Sequence, residues 1–383
     1  MKQLSIIYLL LIFFLFESCS HDNNDRYSIV LERFEDVPLE NIHINETDIL
    51  DLFSDNYEII AAPEGAVHFT GLGNHLLVFE DSLLIATNDL MLRAIDLETG
   101  DLLNEYSFKG KGPGEFQDIS GIISTDNKII IVDGRLMKIS IFDYQWNHIQ
   151  DHVLEGIDAR SHPGFIFNSP YFYYPIRDHN DHLIQRIKLN HSEESVRSFH
   201  NRIISYAKKP EQYNRLVISS AENLEIVVLH LALPYLFFYN EDLKLQQIIH
   251  VHLPGIDRIG VDESEYSGSS AGAESVQTGA FLNPPPIEIE TSKAISMMFF
   301  LRNVVYAEDK LFFYYANRYA DQQFLTMLEK KQGQWIKGGS YRFIKPDGDQ
   351  FTVFNIVYNE PYLYLSSRWE EDIIRINTDN LLR

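Results

Sequence analysis

ISGIISTDNKIIIVDGRLMKISIFDYQWNHIQDHVL, residues 119–154, holds four short apolar runs set apart by polar turns. Ile119–Ser124 and Lys128–Val132 flank the turn residues Asp126 and Asn127. Lys138–Phe142 makes a third run, and His148–Leu154 makes a fourth after another turn. Runs of this length, rich in Ile, Val and Phe and bounded by Asp and Asn, read as strands.

The unit recurs along the chain. An apolar run ending in a polar residue closes at Asp96, Asp143, Asn190, Asn240, Glu329 and Asn377. Successive spacings are 47, 47, 50, 89 and 48 residues. The long interval reads as one repeat plus an insertion over about 254–292, which contains the low-complexity stretch from Pro254 to Glu290. Four short strands repeated every 40 to 50 residues are the mark of a propeller blade. A β-sandwich with coincidental spacing would have to match six positions by chance. The expected fold is therefore all-β, a six-bladed β-propeller of four-stranded blades. The blades fall near 66–110, 117–155, 164–200, 222–253, 295–344 and 351–377. The last has only three strands. Its outer strand is expected from Tyr57–Ala61, so that the two ends of the propeller, residues 57–383, close the ring and remove an exposed edge. Residues 20–56 read as a tether and approach segment, with Ile49–Phe53 as a short helix.

Residues 1–19 read as a lipoprotein signal peptide. Leu4–Phe16 is almost unbroken apolar sequence. It is shorter than the roughly 20 residues a membrane span needs and has the length of a signal core. Cys19, the one cysteine of the chain, follows at once and is the expected lipidation site. Phe16 and Glu17 depart from the usual Leu and small residue before such a cysteine, and an ordinary signal peptide is the alternative. Ser20–Asp25 is a polar, acidic continuation. The expected location is the cell envelope, as an outer-membrane lipoprotein, with membrane contact through the lipid alone. One cysteine rules out an intramolecular disulfide. A net charge of −23 argues against nucleic acid, whose phosphates need Lys and Arg, and against a polybasic membrane grip.

The run Lys109-Gly110-Lys111-Gly112-Pro113-Gly114-Glu115-Phe116 follows the outer strand of the first blade. It resembles the signature of the six-bladed β-propeller lipoproteins of Bacteroidota, which place it at the same point. The leader with its cysteine and the strand YEIIAAPE before the first blade look similar too. The resemblance covers roughly residues 45–377. It implies a propeller related in architecture to NHL-repeat proteins, with no assigned activity. Read residue by residue, Gly110, Gly112 and Gly114 permit positive φ, and Pro113 fixes its own. The amides could form an anion nest, or Glu115 could cap them. No Lys-Ser/Thr pair follows, so it is not a phosphate loop.

In an antiparallel blade with strands A to D, the B–C loops and the D-to-next-A connections share one face. GKGPGEF, Asn201–Leu216 and the long insertion all lie on that face. The B strands end near Asn88, Arg135, Arg177, Arg318 and Arg368. Four arginines at one level of a ring could grip a carboxylate or sulfate in bidentate fashion. Together with Gly112, Gly114 and Glu115 they are the expected binding residues for an anionic glycan or peptide. The alternative is that each arginine pairs locally, with Asp133, Asp178 or Glu370. No H-E-x-x-H or G-x-S-x-G occurs. His250 and His252 share a strand face, but two ligands do not make a metal site. The leading expectation is a non-catalytic binding or scaffolding propeller without a cofactor, with an outer-membrane protein as a further partner. The second is a metal-dependent hydrolase or lyase acting on sugars or peptides. It would hold Ca²⁺ or Zn²⁺ in the channel among His68, Asn303 and Asn355.

Overall fold

The computed structural model describes residues 36–382 apart from 54, 61–74, 87–89, 126, 158–163, 180–181, 190–195, 202–215, 221–224, 232–233, 254–286, 289–293, 296–300, 308, 317–322, 352 and 368–372. Six antiparallel sheets follow one another in a ring. Blade 2 is Gly121–Ser124, Ile129–Asp133, Lys138–Phe142 and His148–Val153, as the repeat predicts to within two residues. In every blade the first strand is innermost. Those of blades 5, 6, 1 and 2 (Leu301–Ala307, Val353–Asn359, His75–Phe79 and Gly121–Ser124) neighbour one another in that order. Blade 4 begins earlier than the repeat suggests. Its innermost strand is Leu216–Ser220, within and beyond the stretch read as a connection.

Burial explains the two kinds of strand. The middle strands pack on both faces, so Ile129–Asp133, Ile226–His230 and Tyr235–Tyr239 are buried throughout. The outer strands Leu102–Ser107 and His148–Val153 have no fully buried residue. The core lies between blades. Leu84, Leu92, Phe116, Ile129 and Ile131 join blades 1 and 2, and Phe312, Leu325, Met327, Leu363 and Leu365 join blades 5 and 6. Each fully buried side chain of this size contributes roughly 1.5–3 kcal/mol.

The recurring Asp or Asn is a turn device. Asp96 Oδ1 accepts the amides of Glu98 and Thr99 at 2.9 and 2.7 Å. Asp143 Oδ1 accepts those of Gln145 and Asn147, and Asn240 Oδ1 that of Lys244. A short side chain that bonds amides a few residues onward fixes the turn after the third strand. Amides of Thr99 and Glu98 hold Asp96, and the side chain and amide of Asn147 hold Asp143, below the usual carboxylate range.

Ring closure is as expected. Glu58–Ile60 pairs antiparallel with Ile373–Asn377 and supplies the fourth strand of blade 6. Arg375 locks it. Its Nε donates to Glu58 Oε2 at 2.8 Å, its Nη1 to the Leu97 carbonyl of blade 1 at 2.5 Å, and it lies over the Tyr362 ring. The Glu58 carboxylate is largely exposed, so the ion pair itself is worth little, and the carbonyl bond carries more. Arg375→Ala is expected to cost about 2 kcal/mol and lower Tm by about 5 °C. A melt within 1 °C of wild type would show that the lock contributes nothing.

The approach segment is different from the expectation. Ile49–Leu52 is a strand, not a helix, and pairs in parallel with the outer strand of blade 5, Gln334–Phe343. Before it, Leu39–His43 pairs in parallel with the outer strand of blade 4, Leu245–His252. An isolated helix of five residues is unstable in water, whereas a blade's outer edge offers unpaired amides and carbonyls. Both strands are pinned by side chains. Gln247 donates to Glu40, Lys337 meets Asp48 at 2.6 Å, and Arg342 forks onto Asp51 at 2.7 and 2.9 Å. Tyr57 then donates to the Ile344 carbonyl at 2.7 Å. Residues 39–60 thus form a strap over the outer edges of blades 4, 5 and 6.

Candidate functional site

The connection from blade 1 to blade 2 sits on an aromatic base. Phe116 is fully buried, edge-on to Phe108 at 5.7 Å and to Phe142 at 5.9 Å. That anchor explains why the glycine run must end in an aromatic. Gly114 has φ +71°, and a Cβ there would meet the His148 ring at 2.9 Å, so only glycine fits.

The amides of this loop are held by carboxylates of the chain itself. The Gly112 amide donates to Glu115 Oε2 at 2.7 Å, and the Gly114 amide makes long bonds to Asp151 at 3.4 Å. Lys138 Nζ joins the Gly112 carbonyl at 3.0 Å to Asp151 Oδ2 at 2.9 Å, and His148 Nε2 lies 2.8 Å from Asp151 Oδ1. Partial burial pushes the Asp151 carboxyl up. Neighbouring Ser140, Lys138 and His148 outweigh it and hold the group below the usual carboxylate range.

Asp133 couples this connection to the next loop on the same face. It is wholly buried at the end of the second strand of blade 2. Its Oδ2 accepts the Gln117 amide at 2.6 Å and the Asp118 amide at 3.4 Å. Its Oδ1 accepts the amides of Arg135 and Leu136 at 2.8 and 2.7 Å. Arg135 is exposed in that turn. Gly112, Gly114, Glu115 and Arg135 are therefore parts of one loop cluster. Arg177 belongs to the strand Tyr171–His179, and nothing is described of its side chain. Arg318, Arg368, His68, Cys19 and residues 254–286 of the insertion lie outside the described residues.

Two further residues, His75 and Ser120, escaped the sequence reading and share a level of the ring with Asn303 and Asn355, which the sequence had named as channel candidates. The last residues of the innermost strands, just before the hairpin to the second strand, are Phe79, Ser124, Ala307 and Asn359 in blades 1, 2, 5 and 6. Four residues before each stand His75, Ser120, Asn303 and Asn355. All four are 2 to 6 % exposed. The same position holds Gly164 in blade 3 and Leu216 in blade 4. Four consecutive blades thus carry a polar side chain at the same level of the innermost strand, at its B–C/D–A end. Ser120 Oγ donates to Asp118 at 2.5 Å and accepts the Gly134 amide at 3.1 Å. Asn303 Oδ1 accepts the Val304 amide at 2.8 Å. Buried polar groups are costly unless bonded, and each of these can both donate and accept. The available signal was the internal match of Asn303-Val304-Val305-Tyr306 to Asn355-Ile356-Val357-Tyr358. Among the described residues, no three His, Cys, Asp or Glu side chains are arranged to hold a metal ion.

Blades 3 and 4 meet through a buried imidazole pair. His200 and His230 face one another with Nε2 atoms 2.6 Å apart, and His200 Nδ1 lies 2.7 Å from the Tyr239 hydroxyl. Burial, with His182 nearby, depresses His200 to about 3, and burial with His200 depresses His230 well below the ordinary value. Both are neutral near pH 7. His200 has φ +62°, a left-handed conformation in which His is tolerated better than most residues.

No family model matches the chain, and no curated protein matches it. Solved structures do match in fold. A protein of Bacteroides fragilis classed provisionally as exported superposes with a TM-score of 0.52 at 9% identity, over 88% of this chain and 98% of that one. A member of the DUF4221 family from Bacteroides vulgatus superposes with a TM-score of 0.54 at 10% identity, over 84% of this chain and 95% of that one. At such identities the likeness is one of fold.

Proposed function

We propose that this chain is a non-catalytic binding propeller of the cell envelope that seats its ligand at the B–C/D–A mouth of the ring. The observation that carries the reading is the arc of His75, Ser120, Asn303 and Asn355 at one level of four consecutive innermost strands. Such groups suit hydroxyls and amides of a glycan or peptide. Arg135 in the B–C turn of blade 2, with Arg177, Arg318 and Arg368 at equivalent points of the sequence repeat, would add a preference for an anionic ligand such as a uronic or sulfated glycan or a peptide carboxylate. Export and lipidation at Cys19 would hold the propeller at the outer membrane, beside a protein partner there. The exported designation of the Bacteroides fragilis structure supports that location.

The test is titration calorimetry of the mature protein against neutral, uronic and sulfated glycans and short peptides. The variant Asn303→Leu/Asn355→Leu is expected to lose at least tenfold in affinity, about 1.4 kcal/mol, while circular dichroism shows it still folded at the assay temperature. Arg135→Glu is expected to weaken only the anionic ligands. Unchanged affinity in the double variant would sink the proposal. Turnover of a glycan or peptide that chelators abolish would replace it with the metal-dependent hydrolase or lyase.

A further inference from the structure

The strap on blade 4 is closed by a column of rings. His43, the last residue of Leu39–His43, lies directly opposite His252 in the parallel ladder. Their rings stack at 4.0 Å with 6° between planes. His252 lies 3.9 Å from His250, and His250 stacks on Tyr235 at 4.5 Å. Three imidazoles and a phenol thus stand in one pile across the strap strand and the third and fourth strands of blade 4. Beyond it, the Ile44 amide donates to the His252 carbonyl at 2.9 Å.

We propose that this pile is an acid-released latch, which holds the strap strand Leu39–His43 on blade 4 near neutral pH and lets it go when the histidines take up protons. Neutral imidazoles stack favourably. Two imidazolium ions at about 4 Å repel, and exposed charges so close are only partly screened by salt. The surrounding charges do not compensate. On the strap, Glu40 is bonded by Gln247, and Asn41 Oδ1 accepts from His252 at 3.1 Å. On the neighbouring outer strand of blade 5, Lys337 is held by Asp48 and Arg342 by Asp51. Tyr235 is neutral in this range, since burial raises it. Burial, then His252 and His43, lowers His250 to about 4, and burial with His43 lowers His252. Of these causes, the His43 ring comes from the strap, so the docked strap binds protons less readily than the released one. Docking is fully favoured above the ordinary histidine range near 6.5 and weakens as pH falls toward 4. The second strap strand, Ile49–Leu52, has no imidazole in its contacts among the described residues and is pinned by Asp48 on Lys337, which holds Asp48 below the usual carboxylate range, and by the Asp51–Arg342 fork, so release stops at blade 4. The inference is independent of any ligand at the channel mouth.

Hydrogen–deuterium exchange of the full chain at pH 7.5 and pH 5.0, corrected for intrinsic rates, tests it. Amides of residues 39–44 are expected to lose at least tenfold in protection at pH 5.0, while Ile49–Leu52 keeps its own. In 1 M salt the loss should shrink. His43→Phe keeps a ring in the pile without an imidazole, and its strap should stay protected at both pH values. His43 is exposed, so this variant should leave the blades intact. Equal protection of both strap strands at pH 5.0, or acid release in His43→Phe, would overturn the proposal.

Discussion

Asp133→Ala should lower the melting temperature by about 10 °C. Three amides within 2.8 Å and a fourth at 3.4 Å converge on this one wholly buried carboxylate. Truncation leaves them without their acceptor. A buried amide stripped of its partner costs about 1–3 kcal/mol, and bonds to a charged acceptor sit at the strong end. Some of these amides can turn to water, because the Arg135 turn is at the surface. The expected loss is therefore about 3–5 kcal/mol, at 2–4 °C per kcal/mol for a large domain. Asp133→Asn retains one acceptor oxygen and should lose roughly half as much. Thermal melts by circular dichroism suffice. A shift below 2 °C in Asp133→Ala would mean that the two loops hold themselves in place without it.

The second large effect is acid lability. His200 is depressed to about 3 and His230 well below its ordinary value, both chiefly by burial. The unfolded chain takes up protons on both near 6.5, and the folded chain does not. Unfolding therefore becomes easier as pH falls below 6.5. The stability the neutral pair supplies is fully present above that value. Two groups at about 1.4 kcal/mol per pH unit give a loss of roughly 4 kcal/mol between pH 6.5 and pH 5. Guanidinium unfolding at pH 7 and pH 5 measures it. His230→Gln should unfold more easily at pH 7 yet show about half the pH slope. A wild-type stability that is flat from pH 7 to pH 5 would show that the pair is not buried and neutral as found.

What could be read in the sequence had a local chemical cause. Asp96, Asp143 and Asn240 recur because each caps the same turn, so the period and the blade count follow from them. Glu58–Ile60 was legible because the last blade lacked a strand. The strap was not. A parallel fifth strand is laid on chiefly by its backbone ladder, and LENIH carries no period that announces it. Ile49–Phe53 read as a helix because its apolar spacing suits either structure. Of the arc, Asn303 and Asn355 were named from the sequence, whereas His75 and Ser120 need the hairpins aligned first, since they are of other residue types. The innermost strand Leu216–Ser220 was missed because its turn residues follow it rather than lead into it. Of the arginines, Arg135 lies exposed in the turn after the second strand of blade 2, and what fastens that turn is the amide-gathering carboxylate of Asp133.

The strap also sets a mechanical order. A pull applied at Leu39 meets the five-residue ladder on blade 4 first. It then meets Asp48 on Lys337, next the forked Asp51–Arg342 contact on blade 5, and only last the short strand that closes the ring. These contacts stand in series, so the outermost must yield before load reaches the closure. Residues 39–60 act as the strain relief of a cable. Slack can be paid out from the edge of one blade while the ring stays shut and its mouth keeps its shape.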